Sequence, residues 1–404
     1  MTDPLLAQLS SEDPMDWEEA AHALGERGAP GDAAALKAAI GRSRYLDQAI
    51  ASAFGELGDP SLAPVLLDLA RTWVGGDLVP LAAFESLAAL AHPGCAPALR
   101  ALAEDPDFED HLEEMLPALL ATDDGALDPW LADQLSAEDP LLRVMAADGV
   151  GLRGLVQADT KLRGLLDDEQ TRVAARRALV RLGVADTPAL VEDVSRTCAH
   201  HGDFISTLRA TPASLAPVVG PVLVRLSEEL PERRLYLLQE GLRLNHPPAR
   251  EAVHALLADS KPTPVTKAHL RIHLLSSGDA TQVLPLLAHL EANPTDERDV
   301  YVRRFMVQRA MVGALATHLQ NDPTHLRVVL ELLDDIRRKR RTNPAPVRES
   351  AQQAIERLTG TTFFTEFDDW MRAQDWSDTA QPTDPPEAAQ PTSDAPSKPW
   401  WKLW

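Results

Sequence analysis

The chain has 404 residues and a formal net charge of −22, and its balance of 45% hydrophobic and 25% charged residues is that of a protein that can bury a core. Alanine and leucine dominate while aromatic residues make up 5%, which argues against a β or α/β fold. The acidic balance opposes binding to nucleic acid, no apolar stretch is long enough to cross a membrane, and the acidic start does not resemble a signal peptide.

The clearest local signal is a helical hairpin within residues 49–70. Gly58 can adopt the left-handed conformation that closes one helix, Asp59 can cap the next helix, and Pro60 suits its first turn. Stop and start signals lie side by side, so the sequence predicts two helices joined by a tight turn.

The same pattern recurs about every 30 residues over residues 15–360. Within each predicted helix, apolar residues recur three and four positions apart, as at Leu62, Leu66 and Leu69. Each helix therefore has one wide apolar face that needs neighbours on both sides, and stacked hairpins supply them. The sequence predicts an all-α fold, a right-handed α-α superhelix or α-solenoid of about ten helical hairpins.

These units resemble HEAT repeats, in particular the short bacterial HEAT-like kind of phycobilin lyase subunits. The shared phrase is an alanine-rich helix end with Ala-Phe/Leu-x-x-Leu-Gly followed by aspartate, best seen at residues 49–60 and weaker at residues 174–186. The resemblance implies an armadillo-like solenoid, a fold used by scaffolds but also by lyases, a hydroxylase and DNA-repair glycosylases. It predicts the architecture and leaves the function open. Residues 203–230 depart from the pattern with three prolines, which indicates a bend or an altered repeat.

Negative charge concentrates in the first third, where residues 1–140 contain 27 acidic and 6 basic side chains. One interpretation is a solvated surface that keeps an alanine-rich solenoid soluble. The other is a docking surface for a basic protein partner, with Trp130 as an apolar anchor beside Asp128 and Asp133. The aspartate spacing does not match a calcium-binding loop.

Basic residues cluster at two places, residues 172–181 and residues 337–341. The first cluster consists of Arg172, Arg176, Arg177 and Arg181, whose spacing on a helix would suit contact with phosphates. Both clusters also come late in their helices, where the helix dipole favours cations without any ligand. We expect no nucleic-acid binding unless the two clusters line one groove.

No catalytic or metal-binding constellation is evident. His269 and His273 share a helix face but lack a third ligand, and Cys198, His200 and His201 are too close in sequence to converge on one ion. The His-Glu pairs of HEAT-like hydroxylases do not occur, and the phosphate-binding and nucleophile motifs are missing too. We assign no catalytic residue, no metal site and no cofactor.

The C-terminal region changes character after the last repeat. Residues 1–360 form the predicted repeat domain, residues 361–376 an aromatic cap, residues 377–399 a flexible Pro/Asp-rich linker, and residues 400–404 a tryptophan motif. The motif contains Trp400, Trp401 and Trp404. We interpret it as a tethered docking motif for a second protein, with membrane-interface contact and folding back onto the chain's own groove as alternatives.

Together these patterns favour a non-catalytic, cytoplasmic protein scaffold that binds one partner on its curved surface and another through the tryptophan motif. Only two widely separated cysteines fit a reducing compartment. The alternatives are a HEAT-like enzyme, either bilin-lyase-like or DNA-repair-glycosylase-like, and a peripheral membrane-associated scaffold. The sequence does not indicate an oligomeric state.

Overall fold

A computed structural model describes residues 3–11, 13–76, 78–292, 301–338, 345–361 and 364–374. The secondary structure of these residues is helical, and they contain no β-strand. The fold comprises two compact units, an N-terminal unit that ends at Ala249 and a C-terminal unit that begins at Arg250. This boundary falls inside the single repeat domain, 1–360, that the sequence predicts.

The N-terminal unit is a succession of short helices. They are α1 (Pro4–Leu9), α2 (Pro14–Arg27), α3 (Asp32–Ala39), α4 (Arg44–Leu57), α5 (Ala63–Thr72), α6 (Leu78–Leu90), α7 (Ala96–Ala103), α8 (Leu112–Ala121), α9 (Leu127–Gln134), α10 (Pro140–Arg153), α11 (Asp159–Gly164), α12 (Arg172–Leu182), α13 (Thr187–Thr197), α14 (His201–Arg209), α15 (Ala216–Glu229) and α16 (Arg234–Arg243).

Helix α17 (Pro247–Ala258) contains the boundary, and the rest of the C-terminal unit follows it. Its helices are α18 (Pro264–Ser276), α19 (Val283–Ala292), α20 (Tyr301–Leu319), α21 (Leu326–Arg338), α22 (Ala345–Thr359) and α23 (Phe364–Ala373).

Helices of the N-terminal unit pack in two layers. The even-numbered helices from α2 to α16, which we call layer A, pack each on the next even-numbered helix. The odd-numbered helices from α3 to α15, which we call layer B, each pack against a layer A neighbour in sequence. In the C-terminal unit α18, α20 and α22 repeat the layer A arrangement. Packing of helices on their sequence neighbours is the arrangement of an α-solenoid.

The predicted hairpin at residues 49–70 is confirmed. Gly58 ends α4 with a φ of 64°, and the Asp59 side chain accepts a hydrogen bond from the Ser61 amide at 2.9 Å. Pro60 opens a 3-10 turn that leads into α5. Gly183, which ends α12 in the same conformation with a φ of 68°, shows that the signal recurs in a later repeat.

Glycines let layer A helices approach closely. A Cβ atom on Gly25 of α2 would lie 2.8 Å from the Cα of Ala53 on α4, and one on Gly151 of α10 would lie 2.9 Å from the Cα of Ala178 on α12. Neither contact would be tolerated without movement of the backbone, so these glycines set the spacing of the layer.

The proline-rich stretch at residues 203–230 contains α14 and α15, with Pro221 inside α15. Among the described residues, no single helix has both the length and the hydropathy needed to cross a membrane. One pair, His201–Arg209 with Ala213–Glu229, meets the length and composition test together, but it is bent by 87°.

Helix α23 covers the end of the C-terminal unit. Phe367 is 2% exposed, and the Arg337 guanidinium lies over its ring, 4.6 Å from the centroid. Trp370 and Met371 pack against the same core. The predicted linker and the tryptophan motif, with Trp400, Trp401 and Trp404, lie outside the described residues.

Candidate functional site on the exposed face of layer A

Each layer A helix leaves one narrow face open to solvent. Helix α6 illustrates this, because α4 and α8 flank it and α5 packs against it. Its side chains at Val79, Phe84 and Leu87 are buried, whereas Leu78 and Glu85 are exposed. The two exposed residues lie seven apart, which places them on one stripe of the helix.

The open faces of the first layer A helices carry carboxylates. Glu26 on α2, Glu56 on α4, Glu85 on α6 and Glu113 on α8 are all exposed, and Glu18 and Glu19 add two more on α2. We call these six residues the acidic stripe. Each of the four helices contributes at least one of them, so the negative charge continues from repeat to repeat.

Two of these residues interact with other layer A helices. The Glu56 carboxylate lies over Gly25 and its Oε1 is 4.0 Å from Nδ1 of His22 on α2. Glu113 acts electrostatically on Arg177, two layer A helices away. Within the described residues, Glu18, Glu19, Glu26, Glu85 and Glu113 have no ion-pair or side-chain hydrogen-bond partner.

The charge of the face changes sign between α10 and α12. Arg177 on α12 donates from Nε to Oδ1 of Asp148 on α10 at 2.6 Å, and its Nη2 donates to the other carboxylate oxygen. Arg177 Nη1 also donates to the Ser206 hydroxyl on α14 at 3.3 Å. Burial by itself would lower the pKa of Arg177, but its hydrogen bonds with Asp148 hold that pKa above the ordinary value.

Arg181 lies one turn beyond Arg177 on the same helix. Its guanidinium is half-buried and has no ion-pair or hydrogen-bond partner in the described part of the chain. Burial lowers the pKa of Arg181, and the nearby Arg177 charge acts in the same direction. Exposed Arg209 on α14 extends the positive end of the face.

Large apolar side chains are exposed on four layer A helices. Met15, Tyr45, Leu78 and Leu141 are exposed by 79%, 54%, 36% and 44% of their surface. All four lie in the first turn of a layer A helix, α2, α4, α6 and α10 respectively. The face therefore combines unpaired carboxylates with an apolar edge.

The four arginines of the first predicted basic cluster do not form one patch. Arg172 donates to the carbonyl oxygen of Leu166 at 2.8 Å, and Arg176 pairs with Asp193 of α13 at 2.5 Å. Only Arg177 and Arg181 belong to the layer A face. Adjacent residues on one helix thus contact different layers, and Arg172 and Arg176 are engaged by partners within the chain.

Arg337 and Arg338, the residues of the second basic cluster that the structure describes, also form contacts within the chain. Arg337 donates to Asp334 and to Gln352, and Arg338 pairs with Asp334 and with Asp368 of α23. These contacts tie α21 to α22 and α23. Residues 339–341 lie outside the described residues.

The predicted acidic docking residues on α9 are partly occupied by contacts within the chain. The Trp130 indole donates to Glu104 at 2.7 Å, and Asp128 accepts from Arg153 at 2.7 Å. Asp133 is 82% exposed at its side chain, with Lys161 Nζ 3.8 Å away.

The same region is neutralised further by Arg100, which donates two hydrogen bonds of 2.8 Å to Asp124. This contact lowers the pKa of Asp124 to about 2. Three carboxylates of residues 101–140, those of Asp123, Asp124 and Asp128, are therefore held in ion pairs with Arg100 and Arg153.

Among the described residues, no group of three or more histidine, cysteine, aspartate or glutamate side chains is arranged to hold a metal ion. Burial lowers the pKa of His269, in agreement with a packed imidazole. Cys198 lies next to the α13–α14 turn, where Arg233 donates to its carbonyl oxygen.

The acidic stripe was not among the candidates from the sequence, which favoured the dense carboxylates of residues 101–140. The sequence does contain a signal for the acidic stripe. A glutamate recurs at about the repeat length, at Glu26, Glu56, Glu85 and Glu113. Glu26 and Glu56 share one position in the repeat, two residues before the glycines that end α2 and α4, whereas Glu85 and Glu113 lie earlier in their helices.

No protein-family model matches this chain, and no curated protein matches it. Among solved structures, the chain is similar to an engineered protein known from a crystal structure, with 18% sequence identity. The match covers 88% of this chain and 98% of that chain, with a TM-score of 0.31. A TM-score this low does not define a common fold.

Proposed function

We propose that this chain is a protein-binding scaffold whose N-terminal unit holds an extended, basic segment of a partner protein against the acidic stripe of layer A. The observation that carries the proposal is the row of exposed glutamates on four successive layer A helices, of which only Glu56 has an ion-pair contact among the described residues, with His22 at 4.0 Å. Carboxylates without partners inside the chain are free to form ion pairs with lysine or arginine side chains of a ligand.

The apolar edge supplies the second element of recognition. Ion pairs at an exposed surface contribute little affinity by themselves, about 0–1 kcal/mol each. Tyr45, Leu78 and Leu141 offer apolar surface along the same helices, and aromatic and aliphatic anchors contribute much of the binding energy at protein interfaces. A ligand that alternates basic and apolar residues would satisfy both elements at once.

The length of the ligand follows from the spacing of the helices. Packed helices lie 8–10 Å apart, so the path from α2 to α10 is about 32–40 Å. An extended chain rises about 3.3 Å per residue and would need about 12 residues to cover that path. Arg177 and Arg181 would repel a basic segment beyond α10, which defines the end of the site.

We also propose a form for the solenoid, a compartment and two further binding surfaces. We place the two layers in a right-handed HEAT-like superhelix of about ten hairpins, and the protein in the cytoplasm. Trp130, Asp128 and Asp133 remain a second candidate surface for a basic partner. Trp400, Trp401 and Trp404 remain the candidate docking motif for a second protein, since a linker raises the effective concentration of a short motif.

Binding of a basic peptide tests the proposal. A fluorescein-labelled peptide of alternating lysine and leucine, about 12 residues long, would be titrated with the full chain by fluorescence anisotropy. The test variant carries Glu26→Gln, Glu56→Gln, Glu85→Gln and Glu113→Gln. We expect it to bind about tenfold more weakly, and we expect sodium chloride to weaken binding by the parent chain because exposed charges are screened.

A control variant removes the same amount of charge from the other acidic surface, through Asp107→Asn, Glu109→Gln, Asp133→Asn and Glu138→Gln. Affinity close to that of the parent would assign binding to the acidic stripe. A greater loss in this control than in the test variant would instead assign binding to the α9 region. Absence of saturable binding by the parent chain would reject a basic-peptide scaffold.

A further inference from the structure

The C-terminal unit contains a cavity of about 430 Å³ between α20 and α22. Its walls are formed by Arg309, Gly313, Ser350, Gln353, Ala354 and Arg357, together with other small residues of α20. The volume lies within the range of 300–1,000 Å³ that is common for small-molecule sites. It can therefore hold a small organic ligand and not only a water molecule or an ion.

One wall of the cavity carries an arginine that is held in position. Arg309 Nε donates to the Ser350 hydroxyl at 3.2 Å, and that hydroxyl donates its own proton to the Pro346 carbonyl oxygen at 2.9 Å. The Ser350 oxygen thus orients Arg309 through a single N–H group. The terminal N–H groups of a guanidinium remain available for another acceptor in this arrangement.

A second arginine lines the cavity from α22, two helical turns beyond Ser350. Arg357 is exposed and has no ion-pair or hydrogen-bond partner within the described residues. No described acidic side chain lines the cavity. Glu356, the adjacent acidic residue, accepts a hydrogen bond from Gln352 at 2.8 Å. Two guanidinium groups thus line a concave site to which the described residues supply no counter-charge.

The floor of the cavity is small and apolar. Ala310, Ala316 and Ala354 contribute methyl groups, and the missing side chain of Gly313 leaves open space, with no atom within 4 Å of the position a Cβ would take. The Gln353 carboxamide adds a neutral donor beside the arginines. A ligand that combines an oxyanion with an apolar body would complement both parts.

We propose that this cavity binds a phosphate monoester, with its phosphate between Arg309 and Arg357 and its organic group on the alanine floor. A phosphate dianion has three terminal oxygens and close to two negative charges, which matches two guanidinium groups. A carboxylate is satisfied by a single arginine in a bidentate pair and would leave the second one without a partner. This site is independent of the acidic stripe in the N-terminal unit.

Isothermal titration of the full chain with phenyl phosphate tests the site, with benzoate as the carboxylate of similar shape. We expect one saturable site for phenyl phosphate and weaker binding of benzoate. Arg309→Gln and Arg357→Gln are each expected to weaken phenyl phosphate binding about tenfold, since each removes charge-assisted hydrogen bonds. Arg327→Gln, which removes an exposed arginine paired with Glu331 on α21, is the matched control and should leave the affinity unchanged.

A variant that fills the cavity without changing its charge separates loss of the site from indirect effects of charge. Gly313→Leu places a side chain in the open space of the cavity and should abolish binding while the circular dichroism spectrum stays that of the parent. Saturable binding that survives Gly313→Leu and both arginine variants would place the ligand elsewhere and overturn the proposal. Equal affinity for benzoate would overturn the assignment to a phosphate, and absence of binding by the parent chain would overturn the site itself.

Discussion

Asp148 on α10 and Arg177 on α12 form a two-point ion pair that joins neighbouring layer A helices. The Nε–Oδ1 distance is 2.6 Å, and the two side chains are only 17% and 23% exposed. To one side of this pair lie the glutamates of the acidic stripe, and to the other lie Arg181 and Arg209. The pair is therefore both a bond between repeats and the point at which the face changes from negative to positive.

Removal of one partner of this pair should destabilise the N-terminal unit. Asp148→Ala leaves the largely buried Arg177 guanidinium without its carboxylate, which we expect to cost about 1–3 kcal/mol in the free energy of unfolding. Urea unfolding followed by far-ultraviolet circular dichroism measures the change. The double variant Asp148→Leu with Arg177→Met should recover most of the loss, because it leaves no unpaired charge. Equal stability of the single variant and the parent would contradict this role.

Two glycines inside helices, one in each unit, should respond in opposite directions to the same substitution. Gly151→Ala brings a methyl group to 2.9 Å from the Ala178 Cα and should cost about 1–3 kcal/mol, because α10 and α12 must separate. Gly313→Ala meets open space within α20 and should stabilise the helix by up to about 1 kcal/mol. Denaturant midpoints of the two variants serve as each other's control. If both substitutions changed the free energy of unfolding in the same direction, helix propensity and not helix spacing would determine their effect.

Helix ends offer a second opposed pair of substitutions. Gly58→Ala should cost about 1 kcal/mol, since the residue must keep a φ of 64° that L side chains disfavour. Ala91 already has such a conformation, with a φ of 48°, so Ala91→Gly should stabilise the chain by up to about 1 kcal/mol. Thermal unfolding measures both. A loss of stability in Ala91→Gly would mean that the flexibility gained by the unfolded chain outweighs the strain that is relieved.

His269 on α18 should make stability depend on pH in mildly acidic solution. Burial lowers the pKa of His269 below its ordinary value of 6.5, so the unfolded chain binds a proton more readily than the folded chain. The stability that uncharged His269 contributes to the folded chain is fully present above pH 6.5. It is lost as the pH falls from 6.5 towards the pKa of His269 in the folded chain. His269→Gln should flatten the unfolding free energy between about pH 5 and 7. A profile as steep as that of the parent would exclude His269 as the cause.

The helical hairpins could be predicted because their signals are local. At Gly58, Asp59 and Pro60, the end of one helix and the cap of the next depend on backbone conformations and hydrogen bonds within a few residues. Such interactions are the same whatever packs around them. The repeat spacing then made stacked hairpins, and with them an all-helical fold, the arrangement to expect.

The candidate site depended on information that a linear pattern does not contain. Arg176 and Arg177 are adjacent in sequence, yet one pairs with Asp193 in layer B and the other with Asp148 in layer A. Their directions differ by about 100° around the helix, so the positions of the neighbouring helices determine which partner each one meets. The density of acidic residues in the sequence likewise does not show which carboxylates are paired, and Asp124 and Asp128 form ion pairs with arginines from neighbouring segments.

The sequence by itself determined where helices begin and end, that each one has an apolar face, and that the units repeat, because short-range sterics and the helical period control these features. Only the tertiary structure decided which carboxylates remain unpaired on layer A and that Arg309 and Arg357 face one cavity. Residues far apart in the chain meet only after helices have packed at a specific distance and rotation. Close contacts such as that of Gly151 with Ala178 set that distance.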